Sequence, residues 1–276
     1  MKALNVKTLM CTMIVCTFCL PVFAQLIKRS LPKSKNELVV IAHRGSHLIK
    51  PENTIASIKD AIDIGADYVE IDLRTTRDGH LVLLHNETVD QLTNGKGRIG
   101  ELDFTEVEKL VLKGRDSSLH HIATFEEALK VCKRKINIYL DFKAASVKDA
   151  YTAIKAAGME KQILVYVNGE EQYLAWRKIA PQMPLISRWD KTINTKIKIL
   201  ESMERMPLEA IDAVPSVDLF SVLRKLGVSV FLDVQNSSES ENDWNNALQK
   251  GIQGLQTDHP QALIEYLKRN KLRNSL

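Results

Sequence analysis

Two histidines, three carboxylates, an arginine and a lysine stand where they could move protons and hold an anion. His43-Arg44-Gly45 follows one apolar run, Glu70 and Asp72 lie within another, His85-Asn86 closes a third, and Asp141-Phe142-Lys143 ends a fourth. Residues two apart on a strand project to the same face, so Glu70 and Asp72 point one way together. With Asp141 beside them, three negative charges would repel one another unless a cation neutralised them. An all-oxygen ligand set suits Mg2+ or Ca2+ better than zinc. The plainer reading is an ion-pair network in which these acids only meet Arg44 and Lys143. Two imidazoles on the same rim, His43 and His85, weigh against it, because an imidazole side chain can both give and take a proton and phosphodiester cleavage needs both transfers. The planar fork of Arg44 suits two-point contact with phosphate oxygens, and Lys143 orients the carboxylates or touches phosphate.

The elements that must bring these groups together are legible in the alternation of β-rich runs and amphipathic segments. Strands are predicted over Leu38–Ala42, Tyr68–Leu73, Ile136–Phe142, Ile163–Val167, Pro184–Ser187, Leu208–Val214, Val228–Val234 and Ile252–Thr257. Helical patterns lie between them, with capping pairs at Thr124/Glu127 and Ser146/Asp149, a stop at Gly227 and a start at Pro260. Strand and helix alternating to the end of the chain predict an α/β fold, a closed (β/α)8 TIM barrel, whose reactive groups lie at the C-terminal ends of its strands. Leu81–His85 breaks the alternation. Only Thr75–His80 separates it from the preceding strand, too few residues for a parallel crossover. With Asp78-Gly79 as a tight turn it must fold back as a β-hairpin arm on that rim, setting His85 roughly opposite Asp72.

His43-Arg44-Gly45, Pro51-Glu52-Asn53-Thr54, Gly65 to Asp72, Thr76-Arg77-Asp78-Gly79 and His85-Asn86 stand in the order and spacing of one known family. Thr93-Asn94-Gly95, Ile122 to Leu129, Asp141 to Lys143 and Thr257-Asp258-His259-Pro260 extend the likeness over most of the chain. The sequence resembles the glycerophosphodiester phosphodiesterases. The resemblance implies a barrel hydrolase that cuts small-molecule glycerophosphodiesters into sn-glycerol 3-phosphate and an alcohol with a divalent cation. Carried over by position, it implies His43 and His85 as the acid-base pair, Glu70, Asp72 and Asp141 as metal ligands, and Arg44 as a phosphate contact.

The chain departs from the family pattern at three points. Asp141 replaces a glutamate, one methylene longer, which implies a weaker grip on the metal. The family's Trp-Thr pair on the seventh strand is absent, so Phe231 or Asp233 faces the pocket there. The family's insertion domain is reduced to Glu87–Thr124, expected as a plain loop with one helix. Pro51-Glu52-Asn53-Thr54 is expected to start and cap the first helix, Trp189 is the tryptophan expected at the pocket, and Asp258 is expected to support the rim or touch a glycerol hydroxyl.

At the start of the chain, Lys2 and Lys7 precede an apolar run from Leu9 to Leu20, and Val22 and Ala24 follow as the small residues a signal peptidase accepts. The run is short of the roughly 20 residues that span a bilayer. The expected organisation is a signal peptide over 1–24, a polar leader over 25–36 and a single barrel domain over 37–276, exported to the periplasm or beyond, with no membrane span after cleavage. Cleavage would remove Cys11, Cys16 and Cys19, leaving Cys132 with no disulfide partner. A net charge of +4, spread along the chain, gives no basic patch for nucleic acid. Two other activities share the same residues: a phospholipase C or D type of phosphodiesterase acting on lysophospholipids or inositol lipids, and a catalytically silent phosphodiester-binding protein.

Overall fold

The computed structural model describes residues 29–189, 191–212, 216–236 and 238–273 of the chain. The signal-like segment and its three cysteines lie outside the described residues. Eight parallel strands are β1 (Val39–Ala42), β2 (Tyr68–Thr75), β4 (Asn137–Ala144), β5 (Ile163–Val167), β6 (Leu185–Arg188), β7 (Ala210–Asp212), β8 (Ser229–Asp233) and β9 (Gly254–Thr257). They run β1-β9-β8-β7-β6-β5-β4-β2, and a second pairing of β1 with β2 closes the ring. The expected barrel is the observed one. All eight predicted strands are present, with ends shifted by a residue or two; the expected end at Val214 lies outside the described residues. Strand β4 runs far enough to carry Lys143, beyond its expected end at Phe142.

Alternation along each strand sorts the side chains into two layers. Ile41, Tyr68, Tyr139, Leu164, Ile186 and Phe231 point inward and pack on one another as an apolar plug inside the barrel. Their neighbours in sequence point outward against the helices, where Ile58, Phe125, Phe142, Ile154 and Trp176 are among the buried residues of the larger core. Two positions on from the plug residues stand His43, Glu70, Asp141, Arg188 and Asp233. The period of two that buries the plug therefore lifts a ring of polar groups onto the rim. Trp189 belongs to the outer layer and is buried there, so the expectation that it lines the pocket is corrected. Cys132 is buried in the same layer, and burial pushes its thiol up to about 12.

The helices end where their capping residues say they should. In α1 (Ile55–Asp63) the Thr54 hydroxyl accepts from the Ser57 N–H, and in α2 (Phe125–Cys132) the Thr124 and Glu127 pair forms a full capping box. Pro260 opens the last helix, Pro260–Arg269. At the opposite mouth the leader, from residue 29 to 36, lies as a strap. Tyr68 donates to the Pro32 carbonyl, Ser34 and Asn36 donate to Asp67, and Leu31 packs on the base of the plug. No helix among the described residues is long and apolar enough to cross a membrane.

The arm forms as β3 (Leu81–Leu83), antiparallel to β2. Gly79 takes φ +91° in the turn, a conformation costly for any side chain, and its N–H donates to the Thr76 carbonyl. The register sets Leu84, not His85, against Asp72, with the Leu84 N–H donating to the Asp72 carbonyl. The strand is one residue shorter in reach than the turn count implied. The segment after the arm is also more built than a plain loop with one helix. Val89, Ile99, Val107, Leu112 and Ile122 close a small core over Val82 and Leu84, and a two-stranded ribbon joins Leu112–Lys113 to Leu119–His120.

Candidate active site

The turn after β1 is shaped by backbone as much as by side chains. Arg44 holds φ +50° and Gly45 φ +86°. A Cβ at Gly45 would come within 2.5 Å of the Ser57 hydroxyl, so the turn packs directly onto α1. This bend aims the Arg44 N–H at Glu70 Oε2, 2.7 Å away. Glu52 takes the Arg44 Nη1 on both its oxygens at 2.9 and 3.0 Å. Nε of the same guanidinium is buried without a hydrogen-bond partner, 3.6 Å from Asp72 Oδ2.

Asn53, at φ +57°, grips Asp72 from both sides of its amide. Its Nδ2 donates to Asp72 Oδ2 at 2.7 Å, and its Oδ1 accepts from the Asp72 N–H at 3.0 Å. Pro51-Glu52-Asn53-Thr54 therefore does more than begin a helix: Thr54 caps it, while Glu52 and Asn53 hold two of the site residues in place. Sequence reasoning had no spacing rule for either contact. Asn53 sits at a positive φ, a region asparagine tolerates.

Glu70, Asp72 and Asp141 present oxygens that all lie within 4.8 Å of one another, as the i, i+2 spacing and the neighbouring β4 strand require. Glu70 and Asp72 are nearly inaccessible to solvent, at 2% and 1% exposure. Burial raises the Glu70 pKa well above the usual carboxylate range, and the charges of Asp72 and Asp141 push the same way. Asp141 is raised by burial first and by Asp72 second, against Lys143, which sits 2.5 Å from its Oδ2. Burial works against the Lys143 ammonium, yet Asp141 and Asp72 outweigh it and raise its pKa. Asn168, unforeseen in the sequence, donates to Asp141 Oδ1 at 2.9 Å.

These groups fit a divalent cation. Three carboxylates face one ammonium and a guanidinium already claimed by Glu52, leaving negative charge in excess. Asp72 Oδ1, buried, has no hydrogen-bond partner, although Lys143 Nζ lies 3.3 Å away. A buried carboxylate oxygen without a donor is costly and suits a cation.

The first histidine is braced by the last barrel strand. His43 Nδ1 lies 2.7 Å from Asp258 Oδ1, and Asp258 follows β9, which pairs with β1. Burial works against the Asp258 carboxylate, but its bond to His43 and the charges of His43, His47 and Arg44 hold its pKa below the usual value. Asp258 therefore supports the rim through a histidine. His47, which the sequence reading passed over, completes a second cluster with these two, its Nδ1 bonded to the His43 carbonyl at 2.8 Å. On the arm, His85 Nδ1 lies 2.9 Å from Asn86 Oδ1. Arg74 donates to the carbonyls of Leu84 and His85 at 2.7 to 3.1 Å, fixing the backbone from which that imidazole projects. The arm thus returns His85 one residue past Leu84, the residue opposite Asp72, while β1, paired with β2, brings His43 to the side of Glu70.

A sequence model of the glycerophosphoryl diester phosphodiesterase family matches residues 43–253. The glycerophosphodiester phosphodiesterase of Caldanaerobacter subterraneus is 28% identical over 249 residues, covering 84% of this chain and 98% of that protein. Glycerophosphodiester phosphodiesterase 1 of Bos taurus is 38% identical over 134 residues, 46% of this chain and 40% of that protein. Among solved structures, an Oleispira antarctica phosphodiesterase in complex with the product sn-glycerol-3-phosphate superposes with a TM-score of 0.72 at 22% identity, covering 83% of this chain and 96% of that one. Fold and site together define a phosphodiesterase on a (β/α)8 barrel. The chain belongs to the glycerophosphoryl diester phosphodiesterase family.

Proposed function

We propose that the protein hydrolyses glycerophosphodiesters to sn-glycerol 3-phosphate and an alcohol, using a divalent cation, Mg2+ or Ca2+, held by Glu70, Asp72 and Asp141. The observation that carries this reading is the buried carboxylate cluster, whose Asp72 Oδ1 accepts no hydrogen bond, at the same barrel mouth as the His43–Asp258 pair. The product bound to the Oleispira structure supports the same chemistry.

The phosphodiester lies with its non-bridging oxygens against the free edge of Arg44 and the Lys143 ammonium. The cation, when bound, offsets charge that builds on the phosphoryl oxygens. His43 takes the nucleophile's proton. Asp258 is anionic and accepts from Nδ1, so Nε2 is the basic nitrogen, and the imidazolium formed is stabilised by that carboxylate. His85 faces only a neutral partner, the Asn86 carboxamide oxygen. We assign His85 the transfer of a proton to the leaving alcohol.

Purified protein incubated with glycerophosphocholine should release glycerol 3-phosphate and choline, lose activity in EDTA and regain it with Mg2+ or Ca2+. His43→Ala and His85→Ala should each lower turnover by about 10² to 10⁴. Release of phosphocholine in place of choline, or full activity in chelator, would overturn the reading. No turnover with any phosphodiester would leave the silent binding protein.

A second reading, turnover of lysophospholipids, is favoured by Ile49 and Leu119, which are 55% and 68% exposed. They lie on the loop after β1 and on the ribbon, two segments joined through the Arg115 N–H and the Ile49 carbonyl. Lysophosphatidylcholine assayed beside glycerophosphocholine separates the two. We assign the protein to the periplasm or the extracellular medium on the signal-like segment ahead of Gln25; a mature chain beginning at Gln25 in the exported fraction is the expected result.

A further inference from the structure

The acids that face the cation occupy one half of the rim, on β2 and β4. The other half carries a second polar group that the proposed mechanism does not use. Arg188, Asp212 and Asp233 end β6, β7 and β8, and Gln256 on β9 lies in register with Asp233. All four stand two residues beyond inward-facing neighbours Ile186, Ala210, Phe231 and Gly254, so they share the barrel interior above the plug. Arg188 Nη2 bridges the carboxylates, 3.1 Å from Asp212 Oδ2 and 2.6 Å from Asp233 Oδ2. His43 borders the group, because Ile41 is in register with Gln256.

Asp212 is raised by burial and hydrogen-bonds Asp233, and two buried polar atoms in this wall have no other partner. Asp212 is 2% exposed and its Oδ1 has no hydrogen-bond partner among the described residues. Gln256 is 6% exposed. Its Nε2 donates to Gln235 Oε1 at 2.7 Å, while its Oε1 is equally unpartnered. Buried polar atoms without partners are costly unless a ligand supplies the missing hydrogen bonds.

We propose that Arg188, Asp212, Asp233 and Gln256 form a specificity subsite that receives the alcohol arm of the phosphodiester as a polyol, reading its hydroxyl groups. The assignment rests on the phosphodiesterase reading above. Vicinal hydroxyls donate to Gln256 Oε1 and to Asp233 and accept from Arg188 and from the neutral Asp212 carboxyl, matching both kinds of group on the wall. A quaternary ammonium does neither: it has no hydrogen to give these acceptors, and it would lie against the guanidinium. Burial, followed by the neighbouring Asp233 charge, pushes Asp212 up to about 8. Near neutral pH the wall then carries one guanidinium and one carboxylate, with no net charge to draw a cation.

The test compares glycerophosphoglycerol with glycerophosphocholine in the wild type and in Asp233→Ser and Gln256→Leu, with metal present. The wild type should favour the glycerol substrate by at least about tenfold in kcat/KM, and each variant should bring that ratio towards one, chiefly through the KM of glycerophosphoglycerol. A merely structural role would lower both substrates alike and keep the ratio, which overturns the subsite, as does a wild type that does not discriminate. Calorimetric binding of glycerophosphoglycerol in EDTA, where turnover is suppressed, gives a readout independent of catalysis. It should weaken about tenfold in both variants. Equal binding by wild type and variants overturns the subsite, whereas binding that follows the prediction in a protein with no turnover overturns the phosphodiesterase reading alone.

Discussion

Asp258 exerts its effect at a distance from the phosphodiester, through one hydrogen bond. An anionic acceptor at His43 Nδ1 fixes the tautomer, so replacing it with a neutral amide removes the charge while keeping the volume. Asp258→Asn should lower kcat by about a hundredfold or more with little change in KM, and its activity should respond differently to pH. Steady-state kinetics across pH would check this; an unchanged profile would mean that His43 is not the base. Glu70 and Asp72 were readable because i, i+2 spacing in a strand fixes a shared face. Asn53, Asn168, Glu52 and Asp258 meet their partners across loops 8 to 215 residues apart in sequence, and no local period encodes such a contact.

The β2–β3 arm shows where element-level reading succeeds and where it slips. Its existence followed from the shortness of the connection and the Asp78-Gly79 turn, both local facts. Its register followed from neither alone, because the ladder begins only at Thr75 opposite Leu81, and Leu84 rather than His85 meets Asp72. The compact segment after the arm was missed because its buried residues, Val89, Ile99, Val107 and Leu112, follow no helical or strand period. Arg74 ties the arm's end to β2 by donating to the Leu84 and His85 carbonyls, and it is held partly out of water to do so. Arg74→Ala should leave the barrel folded yet loosen His85, lowering kcat by about tenfold or more, whereas Arg74→Lys, keeping a donor, should recover part of it. Circular dichroism of both variants separates a lost arm from a lost fold.

For the whole molecule, the same inward-facing period that gathers the catalytic groups also buries acids against the barrel's own stability. Asp212, pushed up to about 8, keeps its proton in the folded chain over a range in which the unfolded chain, with a carboxyl near the ordinary value of about 4, has already released it. The folded state therefore binds the extra proton between about pH 4 and pH 8. Its contribution to stability is complete below that window and is lost as pH rises through it. Chemical denaturation of the chelated protein at pH 5, 6.5 and 8 should show the wild type losing stability relative to Asp212→Asn as pH increases, because the amide has no proton to lose. Divalent cation at a hundred times its dissociation constant should add about 2.7 kcal/mol to either protein, since it binds the folded state at Glu70, Asp72 and Asp141 and not at Asp212. If the variant and wild type kept a constant gap across pH, Asp212 would be ionised throughout, and the wall formed with Arg188 and Asp233 would carry a net negative charge instead of presenting a neutral hydrogen-bonding surface.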